Sequence, residues 1–250
     1  MSVAYIRFYA QLNYFLPTER KQQEFPHYFE GRVSIKDMIE SLGVPHTEVD
    51  LLLANSEPVS FSYLVEDQAR ISVYPIFESL DITPLIRLRP TPQREPRFVL
   101  DVHLGRLAAY LRMLGFDSLY PENYEDEVLA AISSSENRIL LTRDRGLLKR
   151  KQVIHGYSVR ETNPQKQVAE ILRRYDLFNL VEPFKRCVHC NGLLEVVSKE
   201  EIWDRLQPET RLYYDDFRRC AACNRIYWKG SHYERMQHLI ANIMGQIETE

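Results

Sequence analysis

Four cysteines and three aspartates are the residues of this chain best placed to do chemistry. Cys187 and Cys190 form one Cys-x-x-Cys pair, and Cys220 and Cys223 form a second, with 29 residues between the pairs. Two matched pairs present four soft thiolates, the donor set of a closed, structural Zn²⁺ site. A redox role would need one such pair at a helix start in a thioredoxin-like setting. The aspartates are Asp101, after the apolar run Phe98-Val99-Leu100, Asp144, after Arg138 to Thr142, and Asp126, between Glu125 and Glu127. Carboxylates gathered in one place repel unless a cation sits among them. An all-oxygen donor set suits Mg²⁺ or Mn²⁺. Such an ion activates water and stabilises the leaving oxygen of a phosphodiester. Each acid also has a plainer use. Asp101 and Asp144 could cap helices, and Asp126 with Glu127 would complement a helix dipole.

The elements around these acids alternate. Phe98–Leu100 reads as a strand, and Leu104, Leu107, Ala108, Leu111 and Leu114 recur at helical spacing up to Gly115. A strand fits Ser118–Tyr120, a helix Tyr124–Ser134, a strand Arg138–Thr142, a short helix Arg145–Lys151 and a strand Tyr157–Val159. Asn163 then caps and Pro164 starts a last helix. Such alternation predicts a mostly parallel sheet with helices on both faces. Open sheets of this kind place their sites outside the carboxyl ends of the strands. Asp101 and Asp144 belong at that edge, as does the start of the helix that carries Asp126.

Elsewhere the chain divides by charge. Residues 1–80 carry 6 Lys+Arg against 11 Asp+Glu, 81–182 carry 16 against 14, and 183–250 carry 10 of each. The overall −3 therefore comes from the first part, and the remainder tolerates an anionic partner. Val3–Tyr9, Leu51–Ala54 and Ile71–Pro75 are β-prone, and Ser34 with Asp37 resembles a capping box for a helix that Gly43 ends. That order predicts an α+β, ubiquitin-like β-grasp domain over 1–80. It is also similar to the sulfur carriers of molybdopterin and thiamine synthesis, although no Gly-Gly end follows Pro75. Pro84, Pro90, Pro92 and Pro96, with Arg87, Arg89 and Arg94 among them, mark a linker over 81–96. Ser231–Glu234 reads as a second capping box, followed by an amphipathic helix through Met236, Leu239, Ile240, Ile243 and Ile247. No apolar run approaches the ~20 residues of a membrane span. With no basic-then-apolar leader, a cytoplasmic protein without a membrane partner is expected.

The stretches Phe98 to Asp117 and Ile139 to Leu148, together with the paired cysteines, resemble the Mut-7 C-terminal RNase domain family, one of the PIN-like nucleases. The similarity covers roughly 97–235. It implies a PIN-like α/β domain over 97–182, a zinc ribbon with a C-terminal helix over 183–250, and the ubiquitin-like domain in front. It also implies that Asp101, Asp126 and Asp144 take the places of the family's metal-binding acids. No fourth acid follows the last strand convincingly; Glu161 and Asn163 are the nearest candidates.

Arg106, Arg112 and Arg143, and Arg145 on the other side of Asp144, are candidates for phosphate contact. Arg218, Arg219, Arg225 and Lys229 interleave with Tyr227 and Trp228 in the ribbon, a composition that can stack on unpaired bases. The expected function is metal-dependent hydrolysis of RNA phosphodiesters, with RNA as partner and a protein partner open to the N-terminal domain. A PIN-like adaptor without activity is the main alternative, and a sulfur-transfer partner acting through the β-grasp domain is a weaker one.

Overall fold

The structure is a computed structural model, and it describes residues 1–76, 88, 95–120 and 123–245. The linker expected at 81–96 lies almost wholly outside the described residues, as does Ile247. Two compact units form: Met1–Arg94 with Glu125–Ser158, and Glu95–Tyr124 with Val159–Glu250.

The first unit opens with β1 (Ser2–Phe8) and β2 (Phe25–Phe29), then helix α1 (Ile35–Ser41), β3 (Val49–Ala54), β4 (Glu57–Pro58) and β5 (Arg70–Pro75). The strands form one sheet in the order β2-β1-β5-β3-β4. β1 and β5 run parallel at its centre, and the remaining pairs are antiparallel. This is the β-grasp arrangement that the strand and helix order predicts. Alternation along β1 sends Ala4, Ile6 and Phe8 into a core with Ile35, Met38, Ile39, Leu52, Ile71 and Val73. Ser34 caps α1 by accepting the Asp37 N–H at 3.1 Å, and its hydroxyl donates to the Asp37 carboxylate at 2.7 Å. Gly43, at φ +96°, ends the helix in the left-handed region that a side chain would strain.

Strands and helices then alternate as the apolar spacing predicts. β6 (Phe98–Leu100) leads through a 3₁₀ turn, Val102–Leu104, into α2 (Gly105–Met113) and β7 (Ser118–Leu119). α3 (Asp126–Ser135), β8 (Ile139–Thr142), α4 (Arg145–Leu148) and β9 (Gly156–Ser158) come next, then α5 (Pro164–Arg174). The pairing is parallel in each unit: β6 with β7 in the second, β8 with β9 in the first. α3 and α4 pack on β8, and α2 packs on α5. Asn163 caps α5 through the Gln165 and Lys166 N–H groups. Gly115, at φ +100°, reverses the chain after α2, where a β-carbon would collide with the Glu182 carbonyl.

The last part is a three-stranded ribbon, β10 (Leu194–Val197), β11 (Phe217–Cys220) and β12 (Ile226–Trp228), all antiparallel. Between β10 and β11, a 3₁₀ stretch and α6 (Pro208–Tyr213) close a small core of Val197, Ile202, Leu206 and Phe217. α7 (Ser231–Gly245) packs on α5 and buries Ile243. Its first turn differs from the expected capping box. The Gly230 carbonyl accepts the Glu234 N–H, so the cap position falls one residue before Ser231. Gly230 sits so close to Trp228 that a β-carbon there would lie 2.9 Å from the indole nitrogen. No helix among the described residues is long and apolar enough to cross a membrane.

Candidate functional sites

The four cysteines converge. Their sulfurs lie within 4.8 Å of one another, with no disulfide among them. Cys187 approaches Cys223 at 3.6 Å, and Cys190 approaches Cys220 at 3.4 Å. Each pair sits on a turn whose own backbone serves the sulfur. The Cys190 N–H points to Cys187 Sγ at 3.5 Å, and the Cys223 N–H to Cys220 Sγ at 3.4 Å. Both turns are closed by an asparagine in the left-handed region, Asn191 at φ +72° and Asn224 at φ +60°. Gly192 leaves room for the second pair, since a β-carbon there would lie 2.8 Å from Cys220 Sγ. Burial raises the Cys187 thiol, but the Tyr227 hydroxyl at 3.0 Å and two backbone N–H groups outweigh it, bringing Cys187 to about 7. Burial pushes Cys190 up to about 12 and raises Cys223 as well. A cation among the sulfurs would offset that burial cost, and the donor set is compatible with zinc.

A buried polar network fastens this knuckle to the α2–β7 corner. Arg112 is 5% exposed. It donates from Nε to the Ser118 carbonyl at 2.8 Å, and from Nη1 to the Val188 and His189 carbonyls at 3.2 and 2.7 Å. Asn191 accepts the Ser118 N–H at 3.0 Å and donates to Asp117 at 2.8 Å. Burial lowers the Arg112 pKa, with nearby thiols and Asp117 opposing. The Arg112 Nε and Nη1 groups are thus committed to three backbone carbonyls. This placement makes Arg112 a structural bridge between α2, β7 and the first cysteine turn.

Of the candidate acids, Asp101 and Asp144 each directly follow a strand, β6 and β8, and Asp126 is the first residue of α3. Asp101 follows β6 in the second unit and is 7% exposed. It occupies the cap position of the Val102–Leu104 turn, but its side chain does not cap. The Tyr120 hydroxyl donates to the Val102 carbonyl beside it at 2.8 Å. Asp126 and Asp144 belong to the first unit. Asp144 caps α4: its Oδ1 accepts the Gly146 N–H at 2.7 Å, and its own N–H donates to Thr142 Oγ1 at 2.9 Å. Gly146 keeps this turn tight, because a β-carbon would lie 3.1 Å from Asp144 Oδ1. Asp144 Oδ2 has no hydrogen-bond partner among the described residues. Asp126 opens α3, with Arg150 at 3.5 Å, while Glu127 takes the shorter contact to Arg150 at 2.7 Å. A backbone hydrogen bond and Arg150 hold the Glu127 carboxyl below its ordinary value.

Arg106 and Arg143 are exposed, and neither forms an ion pair among the described residues. Arg145 lies instead over the rings of Tyr14 and Phe15. Tyr227 is occupied by Cys187, which leaves Trp228, 40% exposed, as the ribbon aromatic open to solvent in that pair.

A model of the Mut7-C RNAse domain matches residues 96–240, more than half of the 250-residue chain. The chain belongs to the Mut7-C RNase domain family. A model of Mut7-C ubiquitin matches residues 1–81, a range that contains the whole β-grasp sheet. No curated protein and no solved structure matches the chain. Membership of the Mut7-C RNase family points to a nuclease-like role. The Arg112–Asn191 bridge carried no sequence motif of its own. The one signal was an asparagine directly after each Cys-x-x-Cys pair, the residue that tolerates the left-handed turn.

Proposed function

We propose that this protein is a metal-dependent ribonuclease whose Mut7-C domain hydrolyses RNA phosphodiesters. The observation that carries the reading is the Asp144 turn in a chain of this family. One carboxylate oxygen is fixed by the Gly146 N–H at the end of β8, and the other is left open. Asp101, Asp126 and Asp144 would hold Mg²⁺ or Mn²⁺. The ion would supply Lewis acidity at the scissile phosphate and activate the attacking water. The exposed Arg106 and Arg143 would pair with phosphates flanking the cleaved bond. Cys187, Cys190, Cys220 and Cys223 would hold Zn²⁺ as a structural crosslink, since a closed thiolate shell leaves no position for substrate.

The test is cleavage of single-stranded RNA by the purified full chain in Mn²⁺ or Mg²⁺, with Asp144→Asn and Asp101→Asn alongside. Loss of at least about 10²-fold in rate with both variants is expected, because each removes a charge from the ion's shell. Equal rates for wild type and variants would remove the acids from the chemistry. RNA binding without cleavage would favour the adaptor reading, in which the fold serves to dock RNA.

A further inference from the structure

The helical segments of the ubiquitin-like module, the 3₁₀ turns Ala10–Phe15 and His46–Glu48 and helix α1, touch the segment after Asp144 at four places, each with a defined chemistry. The Arg145 guanidinium lies 5.4 Å from the Tyr14 ring and 5.0 Å from the Phe15 ring, and the two rings meet edge-on. Lys149 Nζ donates to the Glu40 carbonyl at 2.6 Å. His46 bridges the Glu40 carboxylate, 2.6 Å from Nδ1, and the Val153 carbonyl, 3.0 Å from Nε2. Glu48, fully buried, accepts the Ser158 N–H at 2.7 Å. The contacts fall on residues 145, 149, 153 and 158, so they run the length of the chain from α4 to β9.

α4 is only four residues long, Arg145–Leu148. A single turn has no helical stability of its own in water, because nucleation is not repaid by enough hydrogen bonds. Its position must come from the surfaces it packs on. Leu147 and Leu148 anchor its buried side. The outward side is held at its first residue by the stacked cation, directly beside the Asp144 cap. A sulfur carrier or a tethered docking module would need its surface free to move. Here a charged residue, a histidine and a fully buried carboxylate are all committed to the same chain segment.

We propose that the ubiquitin-like module is an intramolecular clamp on the Asp144 turn, and that Arg145, seated over Tyr14 and Phe15, is the positioning residue through which it acts. The functional half of this inference rests on Asp144 serving the nuclease reaction; the clamp itself does not.

The experiment uses the full chain and compares wild type, Tyr14→Leu, Arg145→Met, the double variant and Arg145→Lys. Tyr14 is 46% exposed, so its replacement leaves the β-grasp core intact. Two readouts are taken. The first is hydrogen exchange of the Gly146, Lys149 and Arg150 amides, which hydrogen bond within the turn. The second is RNA turnover in Mn²⁺. Each single variant should speed exchange of these amides about tenfold, with β1 and β5 unchanged, and the double variant should add nothing more. Turnover should lose kcat several-fold with KM for RNA unchanged. Arg145→Lys keeps the cation and should recover most of both. Unchanged exchange in the single variants, or effects that simply multiply in the double variant, would overturn the clamp. If the wild type does not cleave RNA, the nuclease reading fails while the exchange measurement still decides whether the clamp exists. If exchange rises and kcat stays level, Arg145 holds the turn without serving the reaction, and the positioning role is overturned.

Discussion

The ends of β6 and β8, which carry Asp101 and Asp144, are supported by different physics. In the second unit, the α2–β7 corner beside β6 is tied to the cysteine knuckle by a buried guanidinium and a carboxamide that saturate backbone groups. In the first unit, the Asp144 turn and the chain that follows it lean on aromatic faces, a histidine bridge and one buried carboxylate drawn from the helical segments of the ubiquitin-like module. The first support depends on a single organising centre. Val188 and His189, whose carbonyls meet Arg112, lie between Cys187 and Cys190 on that turn. The second is distributed over four separate side-chain contacts. The knuckle should therefore fail as a unit, and the clamp should fail by degrees.

The largest expected effect is loss of the cysteine cluster. Cys220→Ser, or treatment with a strong chelator, should unfold the ribbon, whose own core is only Val197, Ile202, Leu206, Phe217 and a few partners. Proteolysis should then cut within 183–245, and hydrogen exchange should rise in α2 and β7 as Arg112 loses its acceptors. Zinc content by mass spectrometry under non-denaturing conditions supplies the control. A chelated chain that keeps its protection in α2 and β7 would overturn the contrast, because the corner would then stand without the knuckle.

Arg112→Met comes next. It preserves the aliphatic packing but strands the Ser118, Val188 and His189 carbonyls, at a cost of about 3 kcal/mol in unfolding free energy. Urea denaturation measures it. A shift under ~1 kcal/mol would mean that water replaces the guanidinium and that the bridge is incidental. Glu48→Ala is the matching probe of the other side. It removes the acceptor of the Ser158 N–H and should cost about 2 kcal/mol, with the first unit still folded. A global collapse from Glu48→Ala would erase the distinction between a unitary and a distributed support.

The division between near and distant contacts also separates the features readable in the sequence from those that were not. Local chemistry was readable: the Ser34 cap, Gly43, Gly115, the Asn163–Pro164 helix start and the two cysteine turns each announce themselves within a few residues. The strand ends that carry Asp101 and Asp144 emerged from hydrophobic spacing, and the Asp144 cap from the residue type. Contacts across long separations were not readable. Arg112 reads as one more basic residue on a helix until Val188 and His189, some 76 and 77 residues away, are folded against it. Arg145 reads as a phosphate ligand until Tyr14 and Phe15 are brought beneath it. Guanidinium groups serve phosphates, carbonyls and aromatic faces equally well, so residue type alone leaves their partner open.

The smallest effect concerns Arg150, which follows α4 and meets the first turn of α3. It is shared between Glu127 at 2.7 Å and Asp126 at 3.5 Å, and each of the three side chains is at least 35% exposed. Screening by water and salt makes such pairs nearly neutral for stability. Arg150→Gln should accordingly leave the denaturation midpoint unchanged within error. Its signature lies in titration. Glu127 is depressed in the folded chain, so its contribution to stability is present above its ordinary value of 4.5 and disappears as pH falls through the folded value. The variant should move the Glu127 carboxyl upward by NMR, though not all the way, because the backbone hydrogen bond remains. The same substitution reports on Asp126. Removing a cation 3.5 Å from that carboxylate should tighten Mn²⁺ binding about twofold or more if Asp126 belongs to the ion's shell. Unchanged Mn²⁺ affinity, with Glu127 shifted as expected, would place Asp126 outside that shell and leave Asp101 and Asp144 as the acids to test.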